Sequence, residues 1–119
     1  GFIDEKYWRS TYEQVRQMVP EATIYVYEDN TIEGFIGLSG NYIAGLFVET
    51  NSQSKGIGKA LLEHVKGKSK ELILHVYKKN ERAVRFYMRE GFFIEGKQID
   101  IYTNETELVM KWINNNAFD

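Results

Sequence analysis

Gln53-Ser54-Lys55-Gly56-Ile57-Gly58-Lys59 falls where an apolar run hands over to a helical pattern, and its two glycines stand two apart. At a helix start the first amide hydrogens have no acceptor within the helix, and the aligned peptide dipoles add a partial positive charge. Glycines there remove the Cβ atoms that would hold an anion away from those amides. The chemistry that fits is the binding of a phosphate or pyrophosphate of a nucleotide-like ligand. A tight strand-to-helix turn would use the same residues, so the spacing alone leaves both readings open. Two related loops do not fit. A triphosphate loop needs glycine at 53 and Ser or Thr at 60, where Gln53 and Ala60 stand, and a dinucleotide fingerprint needs glycine at 61, where Leu61 stands.

Other chemistries are excluded by what the chain lacks. It has no cysteine, which removes disulfides, thiolate metal sites, Fe–S ligation and any cysteine nucleophile. His64 and His75 are its 2 histidines, too few for a His-rich metal centre, and no metal site is expected. The 15 Lys+Arg against 17 Asp+Glu leave a net charge of −2, without the clustered basic excess of a duplex-coating nucleic-acid binder. No apolar run approaches the roughly 20 residues of a membrane helix, so neither nucleic acid nor membrane is expected as a partner.

Those residues need elements to position them. Over 119 residues there is no repeat, linker or low-complexity tract, and one domain spanning 1–119 is expected. Tyr7, Trp8, Tyr12, Val15, Met18 and Val19 recur at helical spacing, with Asp4 as a cap and Pro20 as the stop. The period then becomes two. Thr23–Glu28 and Ile32–Leu38 read as strands joined at Asp29-Asn30, and after Gly40-Asn41 the run Tyr42–Val48 reads as a strand covered on both faces. Ile57, Leu61 and Val65 form the inward stripe of a helix stopped by Gly67. Leu72–Tyr77 is a buried-type strand, and Asn80 caps a helix over 81–90 that turns Ala83, Val84, Phe86 and Tyr87 inward and ends at Gly91. A closing hairpin, 92–98 and 108–112, turns near Asn104-Glu105. The strand–helix–strand passage over 42–77 implies a parallel pair inside an otherwise antiparallel sheet.

In this setting Gln53-x-x-Gly56-x-Gly58 resembles the pyrophosphate loop of the GCN5-related N-acetyltransferases, the GNAT superfamily. Asn80-x-x-Ala83-x-x-Phe86-Tyr87-x-x-x-Gly91-Phe92 is similar to that superfamily's second signature. The likeness runs from Thr23 to Trp112 and leans toward small bacterial amine- or protein-lysine-acetylating members. It implies an α+β GNAT fold: a mixed, mostly antiparallel sheet with a splayed parallel central pair and flanking helices. The strand and helix that open this fold are missing. The chain also starts at Gly1 without methionine, so a longer protein is expected.

The resemblance further implies acetyl-CoA as donor, direct transfer to a primary amine in a ternary complex, and a cytoplasmic monomer or homodimer. The acceptor would be a small amine, a protein lysine or an N-terminus. A CoA-binding regulatory module without turnover is the alternative. Position by position, the amides of Gln53, Ser54, Lys55, Gly56, Ile57, Gly58 and Lys59 would hold the pyrophosphate. Leu46, Phe47 and Val48 would pair with the pantetheine arm, with Asn80 and Phe86 also on the coenzyme. Tyr87 would contact it and protonate the departing thiolate, although Phe86 and Tyr87 also fit a plain core stripe. Many members place a glutamate early in the third strand, but eleven positions before Gln53 stands Tyr42. His75, facing opposite to Leu74 and Val76, is the candidate base or proton relay, or else a half-buried polar residue. Glu49, Asp100, Glu105 and Glu107 read as solvated carboxylates able to draw in a cationic amine, and Tyr7, Trp8 and Tyr12 with residues 97–106 would wall the acceptor side.

Overall fold

Pairing of β-branched and aromatic residues at period two builds the first half of the chain. The structure, a computed structural model, describes residues 22–53 and 55–115, which form two compact units divided between Lys68 and Ser69. The helix expected over residues 4–19 lies outside the described residues, as do Tyr7, Trp8, Tyr12 and Ser54.

In the first unit β1 (Thr23–Asp29), β2 (Thr31–Ser39) and β3 (Tyr42–Val48) form an antiparallel meander. Asn30, at φ 66°, turns β1 into β2, and Gly40, at φ 62°, turns β2 into β3. Both are residue types that enter the left-handed region at low cost, and tight hairpin turns need that conformation. After a 3-10 turn over Thr50–Ser52 comes α1 (Ile57–Lys66), which packs on the meander. Its stripe is as expected: Ile57, Leu61 and Val65 are buried, with Leu62 beside them, against a sheet whose buried residues include Phe35, Ile36, Leu38 and Ile43.

One expectation needs correction here. β3 is half-buried at every position but Ile43, so it is not covered on both faces. Gly67 ends α1 as expected, at φ −64°. Its amide closes on the Glu63 carbonyl at 3.2 Å, and the Lys68 amide closes on the Val65 carbonyl at 3.1 Å.

The second unit holds β4 (Glu71–Tyr77), α2 (Glu81–Arg89), β5 (Phe93–Ile99) and β6 (Thr106–Ile113). The last strand lies between the other two, antiparallel to both, giving the order β4-β6-β5. One face carries Leu72, Leu74, Leu108 and Met110, all buried. The opposite face is polar, with Lys111 paired to Glu71 at 2.9 Å and to Glu95 at 3.4 Å. Gly91, at φ 93°, ends α2 as expected, and a Cβ there would come within 3.3 Å of the Trp112 ring. The expected inward residues of α2 are only half-buried, and none of the helix is fully buried.

Candidate active site

The loop between β3 and α1 is shaped by a residue the sequence reading passed over. Ser52 is the one buried polar residue among those described, 3% exposed. Its hydroxyl oxygen lies 3.0 Å from a Glu33 carboxylate oxygen and 3.4 Å from one of Glu49. A hydroxyl has one proton, so it donates mainly to the nearer Glu33. The Glu49 amide closes on the Glu33 carbonyl at 2.8 Å, tying the end of β3 to β2. Glu49 is therefore a half-buried part of this tie and not a solvated loop carboxylate. The signal in the sequence was a serine three residues after Glu49, too common a pattern to single out.

Gln53 pins the next step, since its side-chain Nε2 donates to the Val48 carbonyl at 3.1 Å. Its own amide reaches the Thr50 carbonyl at 3.5 Å, a weak bond. Gly56 then takes φ 79° as the N-cap of α1, and no side chain among the described residues caps the helix. The first bond of the helix is Ala60 N–H to the Gly56 carbonyl, 2.9 Å. The amides of Ile57, Gly58 and Lys59 have no acceptor among the described residues. Among the described residues, nothing lies within 4 Å of where a Gly56 Cβ would be. The first turn has no acidic residue, and it carries Lys59, the wrong sign for the helix's own dipole and the right sign for an anion. An open set of amides, a left-handed glycine and a misplaced lysine together fit a pyrophosphate, so these residues suit the coenzyme the sequence implies.

Leu46, Phe47 and Val48 pair with Ile36, Phe35 and Gly34 of β2. The Phe35 and Phe47 rings stack at 5.8 Å. Gly34 is required by this approach, because a Cβ there would sit 2.8 Å from the Phe47 carbonyl oxygen and 3.2 Å from Ile57.

In the second unit, Asn80 has a local job: its Oδ1 accepts from the Ala83 amide at 3.3 Å, capping α2. Phe86 and Tyr87 follow on this helix, their rings 5.2 Å apart, with Tyr87 also edge-on to Phe92 at 5.5 Å. The Tyr87 carbonyl accepts from the Phe92 amide at 2.9 Å. Its hydroxyl has no hydrogen-bond partner among the described residues. Burial pushes the phenol up from 10.0 to about 12, so the proton stays on.

His75 projects from β4 on the polar face, its Nδ1 3.3 Å from Glu107 Oε1. His64 is exposed on α1, its ring edge-on to Tyr25 at 4.6 Å. The hairpin acids are engaged, which corrects the expectation of merely solvated carboxylates. Tyr77 donates its hydroxyl proton to Asp100 at 2.7 Å, which holds the Asp100 carboxyl below its usual range and raises the phenol. Glu105 pairs with Lys79 at 3.4 Å. Among the described residues, no group of three metal-ligating side chains converges, and no helix is long and apolar enough to cross a membrane.

Comparison with known proteins bears on the family and the fold. A family described as an acetyltransferase (GNAT) domain matches residues 20–93. The chain is 36% identical over 118 residues to peptidyl-lysine N-acetyltransferase YiaC of Escherichia coli (strain K12), covering 93% of this chain and 78% of that protein. It is 34% identical over 98 residues to peptidyl-lysine N-acetyltransferase YjaB of the same organism, covering 81% of this chain and 67% of that one. The solution structure of apo YjaB from Escherichia coli superposes with a TM-score of 0.71 at 28% identity, over 91% of this chain and 77% of that one. A putative streptothricin acetyltransferase from Bacillus anthracis, solved with acetyl coenzyme A, gives 0.72 at 27% identity, over 79% and 63%. The α+β fold class expected from the sequence is the fold of these structures. With a family match over most of its length and relatives above 30% identity, the chain belongs to the GNAT acetyltransferases and is an enzyme that moves the acetyl group of acetyl-CoA to an amine.

Proposed function

We propose that the acceptor is the ε-amine of a lysine in a protein, with Tyr87 as the acid and His75 as the base of the transfer. The acceptor class is supported by the two relatives named peptidyl-lysine N-acetyltransferases. The acid rests on one observation: the Tyr87 hydroxyl is unpartnered among the described residues and held protonated, its phenol pushed up to about 12. A group that must donate to a departing thiolate has to keep its proton through the approach of substrate, and burial achieves that here.

The donor supplies an activated acetyl thioester. The chain's part is to grip, orient and manage protons. The open amides of Ile57, Gly58 and Lys59 grip the pyrophosphate, with Lys55 and Gly56 beside them. Ser54, outside the described residues, is proposed for the pyrophosphate with them. Gln53 shapes the loop through Val48 and adds little from its own amide. Leu46, Phe47 and Val48 orient the pantetheine arm by backbone pairing, and the Val48 amide faces the developing oxyanion. Asn80 keeps its Nδ2 for the coenzyme while Oδ1 caps α2, and Phe86 is assigned to the coenzyme as well. The reaction runs in the cytoplasm, where acetyl-CoA and lysine-bearing proteins meet, and the enzyme acts as a monomer or homodimer.

The test is thiol release from acetyl-CoA with three acceptors: an N-terminally blocked lysine peptide, a lysine-free peptide with a free α-amine, and a small diamine. Preference for the blocked lysine peptide is expected. Turnover of the α-amine or diamine alone would overturn the acceptor class. Coenzyme binding with no turnover of any acceptor would instead favour a regulatory module.

A further inference from the structure

Among the described residues, Glu107 is the one carboxylate on the polar face of β4, β6 and β5 that faces no lysine or arginine. Lys111 serves Glu71 and Glu95, and Lys79 serves Glu105. Among the described residues, no lysine or arginine pairs with Glu107. Its Oε1 instead meets His75 Nδ1 at 3.3 Å and accepts from Gln98 Nε2 at 2.8 Å. Register brings the three together: Gln98 lies directly across from Glu107, and His75 pairs with Val109, one diagonal step away on the same face. Three different strands contribute, so sheet pairing sets the geometry. The Glu107 side chain is 19% exposed and that of His75 32%, so the pair is only partly screened by water.

A carboxylate oxygen can only accept. Contact with it is favourable when His75 Nδ1 carries the hydrogen, and the neutral ring then has its lone pair on Nε2. Gln98 approaches the same oxygen with a donor and stops Glu107 from swinging away. When Nε2 takes a proton, the leftover negative charge of Glu107 becomes the partner of an imidazolium. This is the arrangement by which a third group orients a histidine base.

We infer that Glu107, steadied by Gln98, is a positioning residue that fixes His75 in the tautomer whose Nε2 accepts the proton of the acceptor amine. The inference rests on the reading of His75 as the base. In the step it serves, the amine nitrogen bonds to the acetyl carbon as the carbon–sulfur bond breaks. The sulfur takes the Tyr87 hydroxyl proton, and the proton shed by nitrogen goes to His75 Nε2. Exchange with solvent clears His75 and restores Tyr87.

The experiment is 15N NMR of the imidazoles in the full chain without acetyl-CoA, at about pH 8.5, where an ordinary histidine is neutral. With 2 histidines in the chain, a His64→Gln variant assigns the signals. The expected result is a His75 ring protonated at Nδ1 in the wild-type chain, shifting to Nε2 in Glu107→Ala. Kinetics should follow: Glu107→Ala lowers kcat by about tenfold or more with the KM for acetyl-CoA within about twofold, and Glu107→Asp regains part of the loss. A wild-type His75 protonated at Nε2 would overturn the inference while leaving the acetyltransferase reading intact. That measurement needs no variant of Glu107 to fold. An unchanged kcat in His75→Ala would remove His75 as base, and the inference with it.

Discussion

Tyr87 shows how one residue can satisfy two descriptions at once. Its ring belongs to an aromatic cluster with Phe86 and Phe92, as the stripe on α2 required. Its hydroxyl, left without a partner among the described residues, is what the proposed chemistry needs. The raised phenol has a consequence for stability. A group whose folded pKa lies above its unfolded value stabilises the fold fully below the unfolded value and loses that contribution as pH rises through the folded one. For Tyr87 the window runs from 10.0 to about 12. Tyr87→Phe should therefore soften the loss of melting temperature over that window relative to wild type. At neutral pH the same variant should cut turnover by about a hundredfold or more, far more than it changes acetyl-CoA affinity. Parallel alkaline melting curves and equal rates would contradict both. His75 and Glu107 were each noticed in the sequence as single residues. Their meeting was not legible, because they lie 32 positions apart and touch only through the register of β4 on β6.

Among the elements, α1 and its approach loop were the most legible. Ile57, Leu61 and Val65 mark the buried stripe, and the two glycines mark its start, because helical period and backbone permissiveness are local properties. The ties beneath the loop were not legible. Ser52 reaches Glu33 on β2, and Gly34 is glycine because of Phe47 on β3 and Ile57 on α1. Gly34→Ala puts a methyl 2.8 Å from a backbone oxygen that cannot rotate away. It should cost about 1–3 kcal/mol and displace β3 at the residues assigned to the pantetheine arm. Urea unfolding and the acetyl-CoA KM should both register the change, and a wild-type midpoint would refute the close approach. The helix end was legible too, since Gly67 follows Lys66 as the stop the sequence marks.

For the whole molecule, family membership and the open amides at α1 lead to one linked expectation. A ligand that binds the folded chain alone stabilises it in proportion to RT ln(1 + [L]/Kd). Acetyl-CoA at about a hundred times its dissociation constant should add about 2.7 kcal/mol, seen as a rise in melting temperature by calorimetry. Glutamate at Gly58 should abolish that rise, and no rise at millimolar coenzyme would contradict the binding loop. Sequence alone determined the order and type of the described elements and the residues of both signatures, because hydropathy period, caps and turn residues act over a few positions. It also carried the coenzyme and the transfer to an amine through those signatures. Tertiary structure decided what depends on distant partners: β6 between β4 and β5, Ser52 under the loop, Asp100 on Tyr77, and Glu107 shared by His75 and Gln98. Each joins residues from different elements, so its geometry exists only once strand register is set, and no local pattern encodes register between strands far apart in the chain.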